Sequence, residues 1–125
     1  MSKVSQREVA ESFLRMVASG QVKEAYQKHV SQDFVHHNPY FQADRESLML
    51  AMEGDAVKNP NKILEIKLTL EDGDLVSTYS HIKQTPEDPG FAVVHIFRFE
   101  DSRIVELWDV GQAVPEATPN ERGMF

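Results

Sequence analysis

Two residues in the second half of the chain, His95 and Asp109, are of the types that move protons, and both stand among apolar neighbours. The stretch Phe91 to Val110, FAVVHIFRFEDSRIVELWDV, is rich in β-branched and aromatic residues and breaks only at the polar Asp101-Ser102-Arg103. It reads as two long strands around a tight turn, and register decides what the polar residues do. With Asp101, Ser102 and Arg103 as the loop, Arg98 faces Glu106, Phe97 faces Leu107, Phe99 faces Val105 and His95 faces Asp109. A two-residue loop pairs His95 with Trp108 instead. The three-residue loop is preferred because it sets opposite charges across from each other.

A carboxylate and an imidazole on an apolar wall are costly unless they satisfy each other or a ligand. Burial raises an aspartate pKa and lowers that of a histidine, while their mutual attraction does the reverse. Such a pair suits proton transfer. The plain alternative is a buried structural His–Asp hydrogen bond.

Other candidates are less sharply marked. His81 shares a strand face with Ser77 and Tyr79, and whether that face is a pocket wall is not legible. His36 and His37 alternate, so only one points inward. Asn38 precedes Pro39 and suits a turn. Tyr26, Phe34, Phe97 and Leu107 read as core or pocket lining. His37, His81, His95 and Asp109 are nitrogen and oxygen ligands by type, but no H-x-H or H-E-x-x-H spacing supports a metal, and none is expected. Without a Gly-rich phosphate loop or a nucleophile elbow, neither a nucleotide cofactor nor serine-type hydrolysis is expected.

The elements that must position these residues follow from periodicity. Ser5-Gln6-Arg7-Glu8 is a capping box, Val9, Phe13, Met16 and Val17 recur at helical spacing, and Gly20 closes the helix. A second short helix covers Val22 to His29 with Ala25 and Tyr26 inward. Phe34 to Pro39 is a short extended piece stopped by proline. Asp44 caps a third helix, roughly Arg45 to Val57, with Leu48, Met52 and Ala56 on its apolar face. Ile63 to Glu71 alternates as a half-buried strand with Leu64, Ile66, Leu68 and Leu70 on one face. Glu71-Asp72-Gly73-Asp74 is a hairpin signal, and Leu75 to Lys83 returns. Helices first and an antiparallel meander after them mean α+β.

At 125 residues the chain is expected to be one domain with a single core. It has no cysteine, which excludes disulfides, thiolate zinc sites and cysteine nucleophiles. A net charge of −7 argues against nucleic acid or an anionic membrane as partner. No apolar run approaches the roughly 18 residues of a membrane span, and no signal peptide is evident, so a cytoplasmic protein is the expectation.

This order of elements resembles the nuclear transport factor 2-like fold, a cone-shaped α+β barrel. Phe34 to Pro39 with His37-Asn38-Pro39, the downstream His81, Ile96 to Phe99, Ile104 to Glu106, Trp108-Asp109-Val110 and the closing Gly123-Met124-Phe125 narrow it to the SnoaL-like polyketide cyclase group. The resemblance implies N-terminal helices packed on a strongly curved, antiparallel or mixed sheet that forms a conical pocket, and a homodimer through the convex face, where Ile96, Trp108 and Val110 lie. It also implies cofactor-independent cyclase, lyase or isomerase chemistry on a small hydrophobic carbonyl compound. Asp109 matches the acid/base on the last strand of the characterised cyclases and His95 the nearby histidine, with His81 a further catalytic candidate. The family pattern favours His37 as the inward histidine, with Tyr26, Phe34, Phe97 and Leu107 as substrate-binding candidates. The chain departs from its relatives at Ser102, Leu107 and His95, where glycine, histidine and an acidic residue are frequent. The alternative is a non-catalytic module that binds a small ligand or serves as a dimeric accessory domain.

Overall fold

The computed structural model describes residues 4–125. Helices α1 (Gln6–Ala18) and α2 (Val22–His29) lead into strand β1 (Val30–His36), and α3 (Arg45–Lys58) precedes β2 (Ile63–Asp72), β3 (Leu75–Lys83), β4 (Phe91–Glu100) and β5 (Arg103–Ala113). The capping box is formed. Ser5 Oγ accepts the Glu8 N–H at 3.1 Å, and the Glu8 carboxylate accepts the Ser5 N–H at 3.2 Å. At the other end Gly20 takes a φ of +89°, and the Gln21 N–H reaches back to the Met16 carbonyl at 2.8 Å. Such a left-handed closure is where glycine is least strained. Asp44 caps α3 by accepting the Ser47 N–H at 3.0 Å.

The five strands run in the order β1-β5-β4-β3-β2. β1 is parallel to β5 and every other neighbour is antiparallel, so the sheet is mixed and open. Two one-residue bulges shape it. The first sits at Lys67, because Ile66 pairs with Ser80 but Leu68 pairs with Tyr79. This corrects the expectation of one apolar face on β2. Leu64 and Ile66 pack on the core, whereas the extra residue turns Leu68 and Leu70 outward, 59% and 66% exposed.

The second bulge, at Val105, decides the register of the β4–β5 hairpin. Its turn has two central residues, Asp101 and Ser102, both at positive φ (50° and 66°), which suits the right-handed twist of the strands. The expected three-residue loop is therefore not formed: Glu100 pairs with Arg103 and Phe99 with Ile104. Val105 is then left over, and beyond it Arg98 faces Glu106, Phe97 faces Leu107 and His95 faces Asp109, as the charge pairing predicts. The bulge adds on the strand the residue that the tighter turn removes.

The helices cover the inner face of the sheet. Phe13 meets Tyr26 and Phe97 edge-on at centroid distances of 5.5 and 6.1 Å, and Tyr26 meets Phe34 at 6.1 Å. Val76, Phe99, Ile104 and Leu107 complete this buried cluster from the sheet side. No helix among the described residues is long and apolar enough to cross a membrane.

Candidate active site

The inner face of the sheet changes character from row to row. Val76, Phe97 and Leu107 form one cross-strand row in the core; one step along the strands the next row is Thr78, His95 and Asp109. Aligned positions on neighbouring strands are about 5 Å apart, so an acceptor, a histidine and a hydroxyl stand side by side above an aromatic floor.

Asp109 is held by a residue that is 71 positions away in the chain. Asn38 Nδ2 donates to Asp109 Oδ2 at 3.1 Å. The loop after β1 fixes that amide. Asn38 Oδ1 accepts the Tyr40 N–H at 3.0 Å, which leaves the NH2 group to face Asp109. The Asn38 N–H in turn donates to His36 Nδ1 at 3.0 Å, while His36 Nε2 meets the Gln42 carbonyl at 2.5 Å. A histidine that accepts at Nδ1 and donates at Nε2 is locked in one neutral tautomer. The buried His36 is thus the brace of the loop that presents Asn38. This corrects the preference for His37 as the inward histidine, because β1 turns His36 toward the core.

Two adjoining cavities open beside Asp109, and both Asp109 and Asn38 line each of them. One, about 270 Å³, is walled by Val17, Leu48, Ala51 and Met52 from the helices. The other, about 580 Å³, is bounded by Pro39, Tyr40, Phe91, Val93 and Gly111. The pair falls in the size range of small-molecule sites, with apolar walls interrupted by Asn38 and Asp109 and, in the smaller cavity, by Asp55 and Lys62.

His95 is buried, its ring stacked on Phe97 at 5.9 Å. Of the two opposed effects, desolvation wins: burial pulls its pKa down to about 4 against the attraction of Asp109, so it is neutral at pH 7. Its Nδ1 is buried with no hydrogen-bond partner, as is the Thr78 hydroxyl in the same row. Among the described residues no hydrogen bond joins His95 to Asp109; the two are cross-strand neighbours rather than a bonded dyad.

The remaining sequence candidates lie elsewhere. His81 is on the outer face of β3, where Nε2 meets the Pro89 carbonyl at 2.7 Å and the ring stacks on Phe125 at 4.4 Å. Tyr79, on the same face, donates to the Met124 carbonyl at 2.6 Å, so the C-terminal residues pack on the outer sheet. His37 is exposed, stacked on Trp108 at 4.9 Å and bonded to the Glu106 carboxylate at 2.6 Å, and it only rims the larger cavity. His37 and His81 therefore do not converge with His95 and Asp109 as ligands of one ion. Tyr26, Phe34, Phe97 and Leu107 are in the core rather than on the cavity walls. Tyr26 stands directly behind one wall, its hydroxyl 3.3 Å from Met52 Sδ, and burial pushes its pKa up. The sequence marks Asn38 as a turn residue only, and its bond to Asp109 comes from the docking of β1 beside β5.

Residues 8–117 match the family of SnoaL-like polyketide cyclases. No curated protein matches the chain significantly. A Cytophaga hutchinsonii protein described as NTF2-like and of unknown function superposes with a TM-score of 0.71 at 17% identity, over 89% of this chain and 93% of that one. A proposed polyketide cyclase from Bacillus cereus gives 0.73 at 23% identity, over 86% of this chain and 74% of its own. IdmH, a proposed polyketide cyclase from Streptomyces antibioticus, gives 0.71 at 18% identity, over 87% and 93%. At these identities the likeness to solved structures is one of fold.

Proposed function

The chain belongs to the SnoaL-like polyketide cyclase family, and on that premise we propose that it is a cofactor-independent acid–base catalyst of the cyclase or isomerase type, acting on a small apolar carbonyl compound. Asp109 is the base. It takes a proton from the carbon next to the carbonyl, and the electron pair left behind moves onto the carbonyl oxygen as an enolate forms. His95, neutral at pH 7, acts as a hydrogen-bond donor to that oxygen rather than as a source of a full proton. Asn38 fixes the direction of the Asp109 carboxylate. The proton is then returned to carbon in an isomerisation, or to the new alkoxide in an aldol-type closure.

The observation that carries this reading is the placement of one carboxylate. Asp109 is tied to Asn38 at 3.1 Å on the shared wall of two cavities, across from a histidine that burial keeps neutral. Asp109→Asn keeps the shape and removes the basic oxygen. It is expected to retain ligand binding and lose proton exchange at the carbonyl compound.

A second reading, ligand binding without catalysis, is favoured by the lack of a hydrogen bond between His95 and Asp109 among the described residues. It predicts binding in the same cavities with no proton exchange in the wild type. In either case we propose a homodimer through the outer face of the sheet. Leu68, Leu70 and Val110 there are all more than half exposed, and large apolar side chains left uncovered on one sheet face suit an interface.

A further inference from the structure

The smaller cavity beside Asp109 holds one cation. Its lining includes Asp109, Asp55 on the last turn of α3, and Lys62, which immediately precedes β2. A lysine in a loop normally extends into water, but the Lys62 side chain is only 16% exposed and its ammonium is paired with Asp55. Burial lowers its pKa below the ordinary lysine value, as expected for an ammonium held at an apolar wall. Asp55 does not depend on Lys62 for all its partners. It also accepts from Asn59 Nδ2 at 2.8 Å and remains 35% exposed. A ligand anion can therefore displace Asp55 from the ammonium without leaving a buried carboxylate unpaired.

We propose that Lys62 is the anion anchor of this cavity: it binds a carboxylate, or a comparable anionic oxygen, carried by an otherwise apolar ligand, with Asp55 as its internal counter-ion. The proposal rests on the reading of the cavity beside Asp109 as the ligand site, and it narrows the substrate to apolar compounds with an acidic group. With Asp55 and Asp109 both lining the cavity and Lys62 removed, such a ligand would meet two like charges and no opposite one. With Lys62 present its acidic end is drawn to the junction of α3 and β2, and its other end is left toward the sheet, where Asp109 and His95 stand. The anchor is thus also an orienting device.

The test compares 2-naphthoate with the uncharged 2-naphthamide, which share a skeleton. Binding to the full chain is followed by NMR of the Met52 methyl group, which lines this cavity. In the wild type the acid is expected to bind about tenfold more tightly than the amide, the worth of one charge-assisted contact. Lys62→Met should bring that ratio to one or below, Lys62→Arg should preserve it, and Asp55→Asn should raise acid binding. Equal affinities in the wild type, or a ratio unchanged in Lys62→Met, would overturn the anchor while leaving the cavity as a site. If neither compound moves the Met52 signal, the cavity reading falls and the anchor with it. A preserved ratio without proton exchange by the protein would support the anchor and remove only the role of Asp109 as base.

Discussion

His95 and Asp109 face each other across β4 and β5 because Val105 is left unpaired between them and the turn. A hairpin with this two-residue turn and no bulge would set His95 against Trp108 and carry Asp109 to the outer face. The side-chain period of two makes that outcome unavoidable. The pairing of these two residues on the inner face is therefore built by a defect in the ladder.

Deleting Val105 tests this directly. The deletion should shift the second arm of the hairpin by one residue, drive Trp108 toward the core, and lower Tm by about 10 °C or more. Adding one glycine after Ser102 should restore the lost length on the turn side and recover most of the stability. Trp108 is the single tryptophan, so its fluorescence reports which face it occupies. A deletion variant with unchanged emission and Tm would show that the bulge does not set the register.

His95 should make the fold acid-sensitive well above the carboxylate range. Its pKa is about 4 in the folded chain and 6.5 as an ordinary histidine. Between these values the unfolded state binds the extra proton, so stability is full above pH 6.5 and falls as pH drops toward 4. By linkage the loss between pH 7.5 and 5 is about 2 kcal/mol from this residue. His29, also lowered by burial, adds in the same direction. Urea unfolding at the two pH values should show a drop in the wild type that is smaller by about that amount in His95→Gln. An equal drop in both would mean that His95 is solvated or charged in the fold.

The helices were legible because their signals are local. The capping box at Ser5, the Gly20 stop, the Asp44 cap and the apolar spacing each act within a few residues, and all four are realised in the structure. The bulges were not legible: Lys67 and Val105 are ordinary strand residues, with no glycine or proline to mark an irregularity. One extra residue reverses every face after it, so Leu68 and Leu70, which share a face with Leu64 and Ile66 by simple alternation, point outward. The β4–β5 register is legible and its turn is not, since the Arg98–Glu106 charge pair constrains the strands and not the loop between them. The bond between Asn38 and Asp109 depends on the parallel docking of β1 beside β5, a long-range contact that no spacing announces. Lys62 and Asp55 each read in the sequence as a solvated charge, and only the fold pairs them.

His81→Ala should leave proton exchange within about twofold of wild type, because the ring lies on the outer face, on the far side of the sheet from Asp109. Its effect should appear in the C-terminal residues, where Phe125 loses a stacking partner. NMR of the Phe125 ring protons would register the change. A large loss of exchange in this variant would return His81 to the catalytic set.

Sedimentation equilibrium at micromolar concentration should give a dimer, and the double change Val110→Glu and Leu70→Glu should give a folded monomer. Both positions are more than 60% exposed in the single chain, so the charges cost little in an isolated subunit and much at an interface. A wild-type monomer at these concentrations would contradict the outer-face dimer.

The central claim, that Asp109 removes a proton from an apolar carbonyl compound, is tested most directly by proton exchange in D2O. A bicyclic ketone such as 2-tetralone, and its carboxylated analogues, would be followed by NMR for loss of the protons next to the carbonyl. The wild type is expected to accelerate that loss well above buffer. Asp109→Asn should fall back by at least about a hundredfold, the usual worth of a positioned general base, with ligand binding intact. Exchange at the buffer rate in the wild type across these ketones, or an equal rate in Asp109→Asn, would contradict the account.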